Sequence, residues 1–182
     1  MKTIIEIERE IFSRLYGIPS WNVKRGYATF VTFDFGQPYL EINEKIIERE
    51  VNGLRSKRRM TSVYGEWHLW LYDSEWSISQ GSTEICNSKS EDSLVDRGCT
   101  FLNGQAIAKI SIEKEHNKTT IDFDLEGRVV ILPDQDDRED PPDLWMLFCP
   151  NGMVFSLRSD GCFSYQRNNT VQEEERYEAI ES

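Results

Sequence analysis

The chain has no apolar run of about 18 residues, the length a membrane-spanning helix needs. It also lacks closely spaced cysteines, is poor in histidine and is short of basic charge. Each shortage excludes something. With no apolar span, and with Glu6, Glu8, Arg9, Glu10 and Arg14 interrupting the first sixteen residues, neither a transmembrane helix nor a secretory signal is expected. The expected location is the cytoplasm, with no membrane partner. Cys86, Cys99, Cys149 and Cys162 form no close pair of the kind that zinc and redox motifs use. In a reducing compartment they default to free thiols, with a Cys149–Cys162 bridge between neighbouring strands as the alternative. The formal net charge of −11 disfavours phosphate backbones, so nucleic acid is not an expected partner.

Catalytic signatures are missing as well. No G-x-S-x-G, H-E-x-x-H, P-loop or G-x-G-x-x-G occurs, and no cofactor is expected. The two histidines limit acid–base chemistry near neutral pH. His116 falls in a polar stretch before a strand and reads as solvated. The protein is therefore expected not to be an enzyme.

What is present is aromatic and β-forming. Five Trp, seven Tyr and nine Phe in 182 residues supply large buried areas and favour pleated surfaces. At this length a single domain, residues 1–182, holds a core without staples. Ile4, Ile7, Ile11, Phe12 and Leu15 recur at helical spacing until Gly17 and Pro19, which predicts an amphipathic N-terminal helix over 1–17 packed on a sheet. After it the chain reads as two similar β units, 28–79 and 118–165. Each has an alternating strand (Val31, Phe33, Phe35; Ile121, Phe123, Leu125), a Gly turn at Gly36 or Gly127, a return strand and a Trp-bearing strand (Trp70; Trp145). The first Trp strand is expected to pair with Trp76–Ile78 and the second with Met153–Leu157. Residues 80–98 read as a connector loop, 43–59 allow a short helix, and 170–182 read as an acidic tail. The expected class is α+β, mostly antiparallel sheet built from an internal repeat, with an N-terminal helix.

Two sets of residues stand out. Asp134, Asp136, Asp137, Glu139, Asp140 and Asp143 surround a lone Arg138, giving the segment a charge of −5. Their spacing lacks the third oxygen ligand and glycine of a calcium loop, so no metal is expected and a surface for a basic partner is the functional reading. In Gly65–Leu71, alternation places Glu66, His68, Trp70 and Tyr72 on one face and Trp67, Leu69 and Leu71 on the other. That first face is a candidate ligand surface, where Trp70, Tyr72 and Trp76 could stack a sugar, or where His68 and Glu66 could serve an unrecognised hydrolase. Against this stand cross-strand packing of the rings and a purely structural His68. Asp34 and Asp124 read as solvated beside turns, and Arg55, Lys57, Arg58 and Arg59 as a solvated loop.

The stretch Gly65-Glu66-Trp67-His68-Leu69-Trp70-Leu71, with Phe33-Asp34-Phe35-Gly36-Gln37-Pro38 before it and the Phe-Asp and Leu-Trp elements of the second unit after it, resembles an uncharacterised family of small bacterial proteins over about residues 25–165. That resemblance implies no activity. In its small, acidic, β-rich character the chain is also similar to bacterial toxin-immunity proteins, which implies non-enzymatic inhibition of a basic protein partner and assigns no residue. A small-ligand or carbohydrate binder is the alternative.

Overall fold

A computed structural model describes residues 3–134, 140–170 and 176–180. The N-terminal helix is α1, Ile4–Glu10, closed by a capping box in which the Glu6 N–H donates to Thr3 Oγ1 at 3.2 Å and the Thr3 N–H donates to Glu6 Oε2 at 2.9 Å. A single 3-10 turn, Phe12–Arg14, follows it. Ile7, Ile11, Phe12 and Leu15 are buried, with the Phe12 ring 5.8 Å from Trp145 and 5.2 Å from Phe155. The helix thus packs its apolar face on a sheet, as its periodicity requires.

Among the described residues, twelve strands form two antiparallel sheets. The larger takes β1 (Ser20–Arg25), β2 (Val31–Val51), β3 (Leu54–Leu71), β9 (Asp143–Phe148), β10 (Met153–Arg158), β11 (Cys162–Arg167) and β12 (Glu178–Ala179), in that spatial order. The smaller is ordered β5 (Thr83–Asn87), β4 (Glu75–Gln80), β8 (Gly127–Leu132), β7 (Lys118–Phe123), β6 (Ile107–Glu113). Their inner faces meet in one core. Phe33 of β2 lies 6.1 Å from Phe123 of β7, and the Trp145 indole on β9 donates to Thr119 Oγ1 on β7 at 2.9 Å. The second helix, α2 (Asp92–Leu102), packs Val95, Cys99 and Leu102 inward. The class is α+β, dominated by antiparallel sheet.

Several expectations need correction. Gly36 makes no turn. With φ +74° it sits at a bulge inside β2, and the strand continues to Val51. The reversal comes instead at Asn52-Gly53 (φ 53° and 76°), the two-residue turn whose twist suits a hairpin. Residues 43–59 are therefore strand, and the basic run from Arg55 to Arg59 lies on β3. The expected connector 80–98 carries β5 and the first part of α2, and the tail adds β12 and buries Ile180. Trp76 does not pair with the Trp70 strand, because β4 belongs to the other sheet between β5 and β8. The expected repeat is not matched strand for strand among the described residues: from residue 31 to 80 the chain makes three strands, with Trp70 on the strand that returns from β2, whereas from 118 to 158 it makes four, with Trp145 on a strand of its own. Alternation looks alike in both because every strand of a sandwich has one buried face.

One glycine is required by proximity. A Cβ on Gly65 would stand 2.5 Å from the Phe35 carbonyl oxygen and 2.6 Å from its nitrogen, both rigid backbone atoms in the strand opposite. Gly65→Ala is expected to lower stability by about 2 kcal/mol or more, because backbone cannot move aside as a flexible side chain would. Urea unfolding of the variant checks this; a midpoint matching the parent would show that the bulge absorbs the methyl group.

Candidate functional site

Strand β3 divides its side chains as alternation predicts. Trp67, Leu69 and Leu71 are buried in the core, and His68, Trp70 and Tyr72 face outward with Glu66 exposed. Trp76, once grouped with that face, is buried in the core of the other sheet.

At the centre of the outer face lies a buried polar knot. Asp34, read from sequence as solvated, is 0% exposed and accepts three hydrogen bonds. His68 Nδ1 meets its Oδ1 at 2.7 Å, the Gly65 N–H donates to Oδ1 at 2.9 Å, and Asn22 Nδ2 donates to Oδ2 at 2.7 Å. Burial alone raises a carboxyl pKa, but the bonds from His68, Gly65 and Asn22 outweigh it and hold Asp34 below the ordinary carboxylate range. Facing a carboxylate, a neutral His68 carries its proton on Nδ1. Its Nε2 is buried with no hydrogen-bond partner among the described residues, and the rings of Tyr64, Trp70 and Phe148 pack around the imidazole. A histidine acting as general base would present that nitrogen to a nucleophile; here it is buried. The thiols offer no alternative, since burial pushes Cys86 up to about 11 and Cys99 and Cys149 up to about 12. All four cysteines are free, so Cys149 and Cys162 are not bridged.

Beside the knot opens a cleft of about 700 Å³. Trp70, Tyr72 and Met146 line it from the sheet, with Asp140, Asp143 and the Pro141-Pro142 pair also on its wall. Strand order creates it. β9 pairs with β3, so Trp70 stands opposite Met146, and the Tyr72 and Asp73 N–H groups donate to the carbonyls of Leu144 and Asp143 at 2.9 and 3.2 Å. The acidic segment runs into β9 and is thereby delivered to the aromatic face. Tyr177 completes the wall: its hydroxyl donates to Asp143 Oδ1 at 3.2 Å, and the Arg158 guanidinium lies 4.2 Å from its ring centre. Arg158 also holds the Asp160 carboxylate.

Of the acidic set, Asp140 and Asp143 thus join Trp70 and Tyr72. Asp134 is exposed, and Asp136, Asp137 and Glu139 lie outside the described residues. Glu66 turns away from the cleft, its Oε2 accepting the Gln37 N–H at 3.1 Å. Asp124 is exposed as expected and accepts the Ala106 N–H at 2.8 Å.

A further surface went unseen in the sequence. Among the described residues, β2 and β3 pair only with each other beyond Phe35 and Trp67, since β1 reaches no further than Phe35 and β9 no further than His68. They form a projecting two-stranded arm. Tyr39 and Tyr64 stand opposite each other on one of its faces, and Leu40 opposite Val63 on the other. Tyr39, Leu40, Ile42, Met60 and Val63 are between 42% and 59% exposed, unusual for apolar side chains clustered on one element. The signal available in advance was Asn52-Gly53 between strand-forming runs, which marks a hairpin.

Among known proteins, the structure-specific endonuclease subunit SLX4 of Vanderwaltozyma polyspora is 27% identical to this chain over 136 residues, covering 65% of the chain. The chain spans only 20% of that protein's length. No protein-family model matches the chain, and no solved structure matches it.

Removing the Asp34 carboxylate leaves His68, Gly65 and Asn22 without their buried acceptor. Asp34→Ala is expected to cost about 3 kcal/mol or more, measurable by urea unfolding at pH 7. The pH sign follows from the depressed pKa. The stabilisation is complete above the unfolded carboxyl value of about 4 and is lost as pH falls through the lower folded value. The parent should therefore lose stability relative to Asp34→Asn below about pH 4. Parallel pH–stability curves for the two proteins would contradict the assignment.

Proposed function

We propose that the protein is a non-enzymatic binding protein, an immunity-like inhibitor whose partner is a basic protein. One observation carries this reading: the acidic segment and the aromatic face, which the sequence holds some seventy residues apart, supply Asp140, Asp143, Trp70 and Tyr72 to the same cleft. The two components do different work in an interface. Desolvated Trp and Tyr side chains supply most of the binding energy. Surrounding carboxylates steer a basic partner into encounter and reject acidic ones. The buried Nε2 of His68 counts against the hydrolase alternative.

The carbohydrate or small-ligand reading has support of its own, because a cleft of about 700 Å³ that includes Trp70 and Tyr72 has the size of a small-molecule site and offers rings to stack a sugar. Charge separates the two. The hydroxyls of a neutral sugar also donate to carboxylates, but its affinity does not follow ionic strength as that of a cationic partner does.

If the protein encoded by an adjacent gene is basic and binds, its association rate should fall as salt rises, since attraction is screened over about 8 Å at physiological ionic strength. Replacing the exposed Asp134 and Asp140 by Asn should slow association roughly threefold at low salt and flatten the salt slope, with dissociation and thermal stability nearly unchanged. Stopped-flow kinetics across salt concentrations measures both. Salt-independent binding of a neutral oligosaccharide that Trp70→Leu abolishes would select the ligand reading instead.

A further inference from the structure

We infer that the outer face of the larger sheet carries an aromatic track, running from the cleft onto the projecting arm, that takes an extended basic segment of the partner. The inference rests on the basic-partner reading and adds the arm and the conformation of what is bound.

The rings form an unbroken series. Phe30 lies 4.6 Å from Tyr72, Tyr72 6.2 Å from Trp70, and Trp70 5.9 Å from His68. His68 lies 5.2 Å from Tyr64, and Tyr64 6.2 Å from Tyr39 on the arm. Phe148 widens the middle, 5.8 Å from Trp70. Tyr64 and His68 are four residues apart yet nearly touch, which fits a strand bent by the bulge at Gly36. The outward face of a sandwich sheet is ordinarily polar, and cross-strand packing alone requires no ring to remain uncovered. Tyr39 is 52% exposed at one end, and Trp70 and Tyr72 line an open cleft at the other.

Charge fixes the chemistry of the occupant. Asp140 and Asp143 mark the cleft end, and the exposed Glu41 and Glu66 lie beside Tyr39 and Tyr64 at the root of the arm, whereas the basic run from Arg55 to Arg59 lies on β3 nearer the hairpin turn. Arg158, the cation at the cleft, is held by Asp160 and stacked on Tyr177. Carboxylates beside aromatic faces favour arginine and lysine, which combine ion pairing with cation–π contact. Geometry fixes the conformation. From Tyr39 to Tyr72 the successive rings span at most about 23 Å, the length of about seven extended residues. Along the arm, no strand among the described residues pairs with the edge of β2 beyond Phe35 or with the edge of β3 before His68, the edges a chain laid beside the arm would use.

The test uses the full chain and a synthetic octapeptide of alternating arginine and leucine, capped at both ends, with an analogue carrying citrulline in place of arginine. Calorimetric titration should show binding of the arginine peptide and at least tenfold weaker binding of the citrulline analogue. Tyr39→Ser, remote from the cleft, and Trp70→Leu, at the centre of the track, should each weaken binding at least fivefold, the scale of a truncated hot spot. Unfolding midpoints of both variants establish that they are folded. Full affinity in Tyr39→Ser together with loss in Trp70→Leu would overturn the track and leave binding confined to the cleft. Equal affinity for the citrulline analogue would overturn the assignment of a basic occupant. Failure of the arginine peptide to bind at all would overturn the basic-partner reading and the track together.

Discussion

The outer face of this protein is organised around a carboxylate that has no contact with water. Asp34 bonds to His68 on β3, to the Gly65 N–H at the root of the arm and to Asn22 on β1, so one side chain fixes three strands against one another. A buried carboxylate is tolerated only when its lone pairs are satisfied, and that demand makes the geometry exacting. His68 must hold the tautomer with Nδ1–H toward Asp34, which orients its ring and sets it among Tyr64, Trp70 and Phe148. The aromatic face is positioned by this polar pair as much as by its own packing. What resembles the beginning of an acid–base site serves to hold rings in place.

The arm follows from the same region. A bulge at Gly36, a glycine at position 65 where no Cβ fits, and the Asp34 bond to that glycine together shape the point where β2 and β3 leave the sandwich. A long exposed hairpin is a liability, since its free edges and apolar faces invite pairing with other chains. Exposed Tyr39, Leu40, Ile42, Met60 and Val63 on such an element give it apolar surface on both faces.

Much of the local structure was legible in the chain. The amphipathic period of residues 3–16 gives α1, and the alternation from Gly65 to Tyr72 gives the two faces of β3, because burial on one side of a helix or strand leaves a periodic mark. The turns after β9 and β10 place Gly152 and Gly161 at φ 73° and 77°, in Asn-Gly and Asp-Gly pairs whose composition favours such angles. Asn52-Gly53 carried the same message, but the charged run around it resembled a helix or a loop. The tail and the connector were misjudged for a similar reason: short strands and an amphipathic helix rich in polar residues leave weak periodicity.

By itself, then, the sequence determined the helix, the β-rich class, the two-faced strand at Gly65–Tyr72 and the concentration of acid between Asp134 and Asp143. Strand partners were decided only in three dimensions. Period-two alternation records that one face is buried and carries no information about which sheet a strand joins, which is why Phe33 and Phe123 looked like equivalent positions of a repeat and instead face each other across the core. Asp34 and Asp124 occupy similar sequence settings, yet one is buried and the other exposed, because Asp34 lies within β2 between β1 and β3, whereas Asp124 lies just beyond the end of β7, in the turn into β8. The placement of β9 against β3 brings Asp140 and Asp143 to Trp70 and Tyr72, and that pairing of strands far apart in the chain is set by the shared core.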